Sequence, residues 1–262
     1  DTYATHDRIR AGEADTMVEA AYQAWQRHTQ TGQSAVLLAT DAHTVDALNA
    51  RAHDDLVATG HVAPEGIPAA GGVTVAVGDT VLTRRNNRRL HVPGGGHVRN
   101  GARWTVTATH PDGALTLAPA VPATHHLPVS EPRPVITVPA DYVAEHVELG
   151  YATTIHRAQG VTVDHAHVLA TPGMTREALY VAMTRGRDTN HAYVATDAVD
   201  PDCDQLPDPA GAPGPREILG RILATTGGEL SATQTLAQRH ADATSPARLS
   251  PIRTTLIADL QA

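Results

Sequence analysis

The sequence predicts an α/β domain interrupted by a small antiparallel β insert. Three observations carry that expectation. A strand-and-helix texture occupies Asp15 to Gly60 and returns from Tyr151 to Thr196. Between them, Val73 to Val138 reads as short alternating runs separated by tight-turn signals. At 262 residues the chain is long enough for one large domain or two small ones.

Asp15 to Gln30 predicts a helix: Asp15 is a candidate cap, Val18, Ala21, Tyr22 and Trp25 share a face, and Gly32 follows as a stop. Ser34 to Thr40 is a short apolar run, hence a buried strand. Asp41 to Thr59 has Val45, Leu48, Ala52 and Leu56 at helical spacing, with Gly60 as its stop. Strand then helix within about thirty residues makes an α/β unit. The segments "GGVTVAVGDTVLTRR", "VRNGARWTVTATHPDGALTLAP" and "PVITVPADYV" predict strands joined at Gly-Asp, Asn-Gly and Pro-Asp-Gly turns, a small antiparallel barrel. Pro119 to Pro134 reads as a loop. Strands are expected at Tyr151–Ile155, Ala166–Ala170 and His191–Thr196, with a helix at Thr175–Arg185 between the last two. The stretch after Thr196 is rich in Pro, Gly and Asp and reads as a linker. Arg216–Ala224, Ser231–His240 and Ser250–Leu260 are expected tail helices.

Composition narrows the function. All twenty basic residues are arginine, so no Lys-bearing GxxxxGK[ST] phosphate loop is present in these residues. One cysteine, Cys203, excludes an internal disulfide framework and a CxxC zinc site, which fits a reducing, cytoplasmic setting. No apolar run approaches a membrane span and no signal peptide opens the chain; beginning at Asp1, it reads as part of a longer protein. Net charge is −8, against a uniformly basic nucleic-acid coat. Yet Arg84, Arg85, Arg88, Arg89, Arg99 and Arg103 fall between Val81 and Arg103 with no acid among them. That stripe is either a phosphate-binding surface or a solvated hairpin. Sixteen histidines include His125-His126 and the pair His165, His167, but no carboxylate or cysteine stands at a supporting zinc spacing, and no metal site is expected.

Two segments remain. "ATTIHRAQGVTVD" ends a strand in polar side chains and a glycine; "TREALYVAMTRGRD" brings Arg185 and Arg187 near a helix C-terminus. Arginine at a helix end also satisfies the helix dipole. Two such segments at element ends of one α/β domain suit a polyanionic ligand, because strand termini are where ligands sit.

"TTIHRAQG" followed by "YVAMTRGR" resembles motifs V and VI of superfamily 1 helicases of the RecD-like branch. "VLLATDAHTVDALNARA" resembles the motif IV strand and helix, and "VAVGDTVLTRRNNRRL" with "VRNGARWTVTA" resembles the segment around the inserted SH3-like barrel. The pattern is similar to the helicase part of TraI/TrwC-type conjugative relaxases in actinobacterial form, over roughly residues 1–197.

The resemblance implies a RecA-like, parallel-sheet second motor domain without a phosphate loop, a barrel insert and a helical tail. The expected divisions are 1–72 and 141–197 for the motor, 73–140 for the insert, 198–215 for a linker and 216–262 for the tail. It implies ATP hydrolysis in the parent helicase, with ATP and Mg²⁺ held by the first motor domain, and none by this chain alone. Arg185 would be the catalytic arginine finger; Gln159, Gly160 and Arg187 would lie at the nucleotide. Thr40, Thr154 and His156, with Arg84, Arg85 and Asn86, would contact single-stranded DNA. Trp104 is read as barrel core rather than a base-stacking platform. The alternative is a vestigial helicase module that only binds single-stranded DNA.

Overall fold

Among the described residues two five-stranded sheets, one parallel and one antiparallel, are accompanied by two two-stranded antiparallel ones. In this computed structural model residues 6–92, 95–120, 134–197 and 214–227 are described. Cys203, His125-His126, most of the expected 119–134 loop and 198–215 linker, and the expected helices at 231–240 and 250–260 lie outside them.

The chain opens with strand β1 (Ile9–Gly12), helix α1 (Ala14–Gln30), β2 (Ala35–Ala39) and α2 (Ala42–Ala58). Short strands follow: β3 (Gly66–Pro68), β4 (Thr74–Ala76), β5 (Thr80–Thr83), β6 (Asn87–His91), β7 (His97–Val98), β8 (Arg103–Thr109), β9 (Leu115–Pro119) and β10 (Ile136–Val138). Helix α3 (Ala140–His146) leads to β11 (Val147–Leu149). Then come β12 (Ala152–Thr154), β13 (Val163–Ala170), α4 (Arg176–Ala182), β14 (Gly186–Ala195) and α5 (Pro215–Ala224). Residues up to Thr225 belong to one compact unit; of the second, Thr226 and Gly227 are described.

The order β1-β14-β13-β2-β12 is parallel at every pairing, as the α/β expectation requires. Its central strands β2 and β13 are buried along their whole length, the mark of a sheet covered on both faces. On one face Leu37, Leu169 and Tyr193 pack with Ala21, Tyr22 and Trp25 of α1 and Leu48 of α2. On the other, Val36, Val168 and Val194 meet Leu179 of α4 and Ile218 and Ile222 of α5.

The insert forms a five-stranded antiparallel sheet, β10-β9-β8-β5-β11. Its last strand lies at 147–149, past the expected limit of 140, and the segment read as one strand in "PVITVPADYV" divides. Pro139 ends β10 and starts α3, because proline suits a helix's first positions and cannot donate to a ladder. Trp104 is core, as expected, with its indole N–H donating to Thr83 Oγ1 at 3.2 Å. Asp79 ties the insert to the parallel-sheet domain, and Asn49 ties α2 to β12 within that domain. Asp79 accepts from the Ala76 amide at 2.7 Å and the Tyr151 hydroxyl at 2.5 Å, and pairs with His53 at 3.0 Å. Asn49 of α2 accepts from the Tyr151 and Ala152 amides at 3.0 and 2.8 Å and donates to the Ala152 carbonyl, fixing the start of β12.

Two helix ends differ from expectation. Asp15 does not cap α1; Glu13 occupies the cap position and the Ala14 amide donates to Asp197 Oδ1 at 2.7 Å, so the cap comes from 183 residues away. Helix α4 ends at Ala182, short of the expected Arg185, so Arg185 and Arg187 lie beyond it. Asp41 does cap α2, accepting from the Thr44 amide at 2.8 Å.

Four histidines stack between α1 and the sheet. His28 lies 3.8 Å from His165 and 5.1 Å from His167 between ring centroids, and His167 lies 5.7 Å from His191. His28 Nδ1 and His167 Nε2 are 3.0 Å apart; His167 Nδ1 meets the Tyr193 hydroxyl. Burial, then the neighbouring histidines, push His167 down to about 2 and His28 down to about 4 from the ordinary 6.5. Below pH 6.5 the unfolded chain therefore takes up protons that the folded one refuses. The contribution is whole above pH 6.5 and declines as pH falls towards 4 and then 2, by about 1.4 kcal/mol per pH unit for the buried His167. Urea unfolding between pH 7 and 4.5 is expected to show this decline in the wild type and a shallower one in His167→Met. Parallel curves for the two would contradict it.

Candidate functional site at the two edges of the parallel sheet

At the carboxyl edge, strands β12 and β2 run in register with Thr154 beside Ala39, and the Ile155 amide donates to the Ala39 carbonyl at 3.1 Å. Thr154 therefore stands next to Thr40, the residue just past β2. Thr40 Oγ1 lies 3.4 Å from Thr171 Oγ1, just past β13. His156 follows Thr154 in an exposed turn. Three hydroxyls and an imidazole thus share one edge, with Thr40 and His156 exposed and Thr154 and Thr171 half-buried. Thr171 was not singled out from sequence; only the alignment of parallel strand ends reveals it.

The chain then crosses to the opposite edge. Residues 155–160 form turns, and β13 starts at Val163. Its eight residues separate the two edges by about 25 Å at the usual rise. Gln159 and Gly160 are exposed in these turns, just past Ala158, whose amide donates to the Thr154 carbonyl at 3.0 Å, and Gly160 has φ +85°, a backbone state that glycine adopts without strain.

Arg185 sits beside them, between α4 and β14. The Val163 amide donates to its carbonyl at 3.0 Å. Its half-buried guanidinium donates to carbonyls: Nε to Val181 at 2.7 Å, and Nη1 to Val161 and Ala158 at 3.4 and 3.5 Å. Nη2 donates to Thr184 Oγ1 at 2.8 Å. Among the described residues no carboxylate bonds this guanidinium. The side chain is braced, and its charge is not neutralised.

Arg187 differs. It is paired with Asp164, whose side chain is 3 % exposed. Burial works against the charged carboxylate, yet hydrogen bonds from the Ser34 hydroxyl and amide and from Arg187 hold its pKa below the ordinary value. Arg187 therefore helps tie β14 to the starts of β2 and β13.

The basic stripe is also divided. Arg84 is half-buried, with Nε 3.4 Å from Glu148, and Asn86 accepts from the Asn100 amide at 2.9 Å, closing the hairpin. Arg85 is exposed, with Nη1 3.3 Å from His146 Nε2. With Arg88 and Arg89 it rims a concavity of about 410 Å³ that also holds Asp141 and Glu145. Among the described residues no group of three or more histidine, cysteine or acidic side chains could hold a metal, and no helix is long and apolar enough to cross a membrane.

Residues 149–191, which hold β12, β13, α4 and Thr154, His156, Gln159, Gly160, Thr171, Arg185 and Arg187, match the UvrD-like helicase C-terminal domain family. That segment is similar to the C-terminal domain of UvrD-like helicases. The conjugal transfer protein TraA of Rhizobium radiobacter is 31% identical over 196 residues, 73% of this chain and 16% of that protein. An uncharacterized protein of Mycobacterium tuberculosis is 34% identical over 110 residues, 40% of this chain. The match thus spans about half (56%) of the mycobacterial protein and a small part of TraA. Among solved structures, Pif1 helicase from Bacteroides in complex with ADP-AlF3 and ssDNA is 21% identical over 60% of this chain and 40% of that one, at a TM-score of 0.39. The parallel sheet with helices on both faces is the RecA-like α/β fold expected, with small antiparallel sheets inserted.

Proposed function

We propose that this chain is the second half of an ATP-dependent DNA helicase within a conjugative relaxase. In this reading the carboxyl edge holds single-stranded DNA through Thr40, Thr154 and His156, with Thr171 beside them. The amino edge presents Arg185, next to Gln159 and Gly160, to ATP and Mg²⁺ held by a first motor domain. Arg187 acts there through Asp164, as a positioning residue. The SH3-like insert, 73–140 with β11, would add Arg85 to the DNA path, while Arg84 and Asn86 brace its hairpin.

One observation carries the reading: a single short segment, 154–160, has Thr154 beside Thr40 at the carboxyl edge and, a turn later, Gln159 and Gly160 between the two carbonyls that hold Arg185. Hydroxyls and an imidazole suit contacts that hold phosphates without reading bases. An un-neutralised guanidinium suits charge developing on a transferred phosphoryl group. A turn joining the two edges gives closure on ATP a short path to the DNA contacts.

Fluorescence anisotropy with labelled oligothymidylate tests the DNA edge. The wild-type chain should bind, and its affinity should fall as salt rises, through release of counterions. Thr40→Val with Thr154→Val and His156→Ala should weaken binding about tenfold or more, each lost phosphate contact being worth roughly 0.5–1.5 kcal/mol. Unchanged affinity in the triple variant would reject this edge as the DNA path.

A further inference from the structure

A cavity that adjoins Gly160 and Val161 holds polar groups that neither edge cluster uses. Between the starts of β2 and β13 and the insert is a cavity of about 460 Å³, within the range of small-molecule sites. Its lining includes Trp25, Thr80, Thr105 and Arg103, and no aspartate or glutamate.

The pleat of the insert brings three of these together. On β8, Trp104 and Val106 point into the insert's core, so Arg103 and Thr105 take the other face. Thr80 is the register partner of Thr105 on β5 and lies on that same face. Across the cavity is Trp25 of α1, 2 % exposed, held edge-on against Tyr151.

The donors here are under-used. Trp25 Nε1 and Arg103 Nε are both buried and make no hydrogen bond among the described residues. Among the same residues the Arg103 side chain makes one hydrogen bond, from Nη2 to the Ala35 carbonyl at 3.3 Å. Burial pushes the guanidinium down to about 10, with Tyr151 opposing the shift only slightly. Buried donors are normally paired, and a buried cation is normally paired with an anion. An arginine with one long carbonyl contact and an indole N–H without a partner both depart from that rule, in the same cavity.

The geometry points to a binding site for a phosphate group in this cavity, held by Arg103 and Trp25 with the Thr80 and Thr105 hydroxyls alongside. A tetrahedral oxyanion can take donors from several directions, which suits groups arriving from α1 and from two strands of the insert. The volume leaves room for a phosphorylated small molecule rather than a bare ion. An occupant would bridge motor and insert, and so would stiffen their junction.

The experiment uses the full 262-residue chain, labelled with ¹⁵N, and inorganic phosphate as the probe, with chloride at matched ionic strength as the control. The chain has two indole N–H resonances, from Trp25 and Trp104. Phosphate should move the Trp25 resonance saturably and leave that of Trp104, already bonded to Thr83, in place. It should raise the thermal midpoint above the chloride control. Arg103→Met should weaken phosphate roughly ten- to hundredfold, and Arg185→Ala should leave it unchanged, which separates this site from the proposed nucleotide edge. Pyrophosphate and acetate in parallel titrations distinguish a phosphate site from a general carboxylate site: acetate equal to phosphate would reassign the ligand. A Trp25 resonance that chloride moves equally, or that tens of millimolar phosphate leaves still, would overturn the proposal whether or not Arg103→Met folds.

Discussion

Replacing Arg185 with alanine in a protein that contains both motor domains is expected to lower single-strand-stimulated ATP turnover by roughly 10³–10⁵-fold, the range seen when such a finger is removed elsewhere. The size follows from what the side chain is and where it stands. It is a fixed cation whose hydrogen bonds run to carbonyl oxygens, the Val181, Val161 and Ala158 carbonyls, which orient it without cancelling its charge. Electrostatic stabilisation of that kind is large because the group needs no reorganisation as the transition state forms. The loss should appear in kcat rather than in KM for ATP, since charge on the leaving phosphates grows only during transfer. Single-strand affinity should stay near wild type, because the Arg185 guanidinium bonds the Val181, Val161 and Ala158 carbonyls and Thr184, and none of the Thr40, Thr154 or His156 side chains. Arg187→Ala is the internal comparison. Its partner is the buried Asp164, so its loss should register in the unfolding midpoint more than in rate. Turnover in Arg185→Ala within tenfold of wild type would remove the finger assignment and leave the vestigial, DNA-holding module as the better reading.

Much of this arrangement was legible in the sequence where local chemistry decides the structure. Asp41 caps α2, Thr175 caps α4, and Gly32 and Gly60 stop their helices with positive φ. "AVLLA" is a buried strand because both faces of a parallel sheet are covered. What was not legible depends on partners distant in the chain. Strand β1 has two exposed arginine-alanine positions and no alternation to betray it; it exists because β14 offers it an edge. The cap on α1 comes from Asp197. The stripe at 84–103 looked like one basic surface, but Glu148, distant in sequence and on the strand paired with β5, claims Arg84, and burial claims Arg103. Motif residues Thr154 and Gln159 were visible as polar side chains at a strand end, but the placing of Thr154 beside Thr40 depends on the strand register, which sequence does not state.

The second large expected effect concerns the residue that follows the finger. Gly186 is the position at which the chain turns from Arg185 into β14. A methyl group added there would lie 2.1 Å from the Thr189 carbonyl oxygen and 3.0 Å from both the Ala166 amide nitrogen and Asn190 Oδ1. Two of those atoms are backbone within the central sheet, so they cannot move aside as a side-chain tip could. The same residue is clasped on both sides by one amide: its N–H donates to Asn190 Oδ1 at 2.7 Å, and Asn190 Nδ2 donates to its carbonyl at 2.9 Å. Gly186→Ala must therefore either break this ring or shift β14 against β13. Overpacking of this kind costs about 1–3 kcal/mol in ordinary cores, and losing two part-buried hydrogen bonds adds roughly 1–3 kcal/mol. The expected result is a loss of about 3 kcal/mol or more in urea unfolding, comparable to a large part of a domain's whole stability. Asn190→Ala, which removes the clasp without the clash, should lose less. In the two-domain protein both should also lower ATP turnover, since the clasp sets where Arg185 leaves the backbone. Glycine here would then be a steric necessity of the close strand packing. A Gly186→Ala chain as stable as wild type would show that the turn can re-form elsewhere, and that the position of Arg185 does not depend on it.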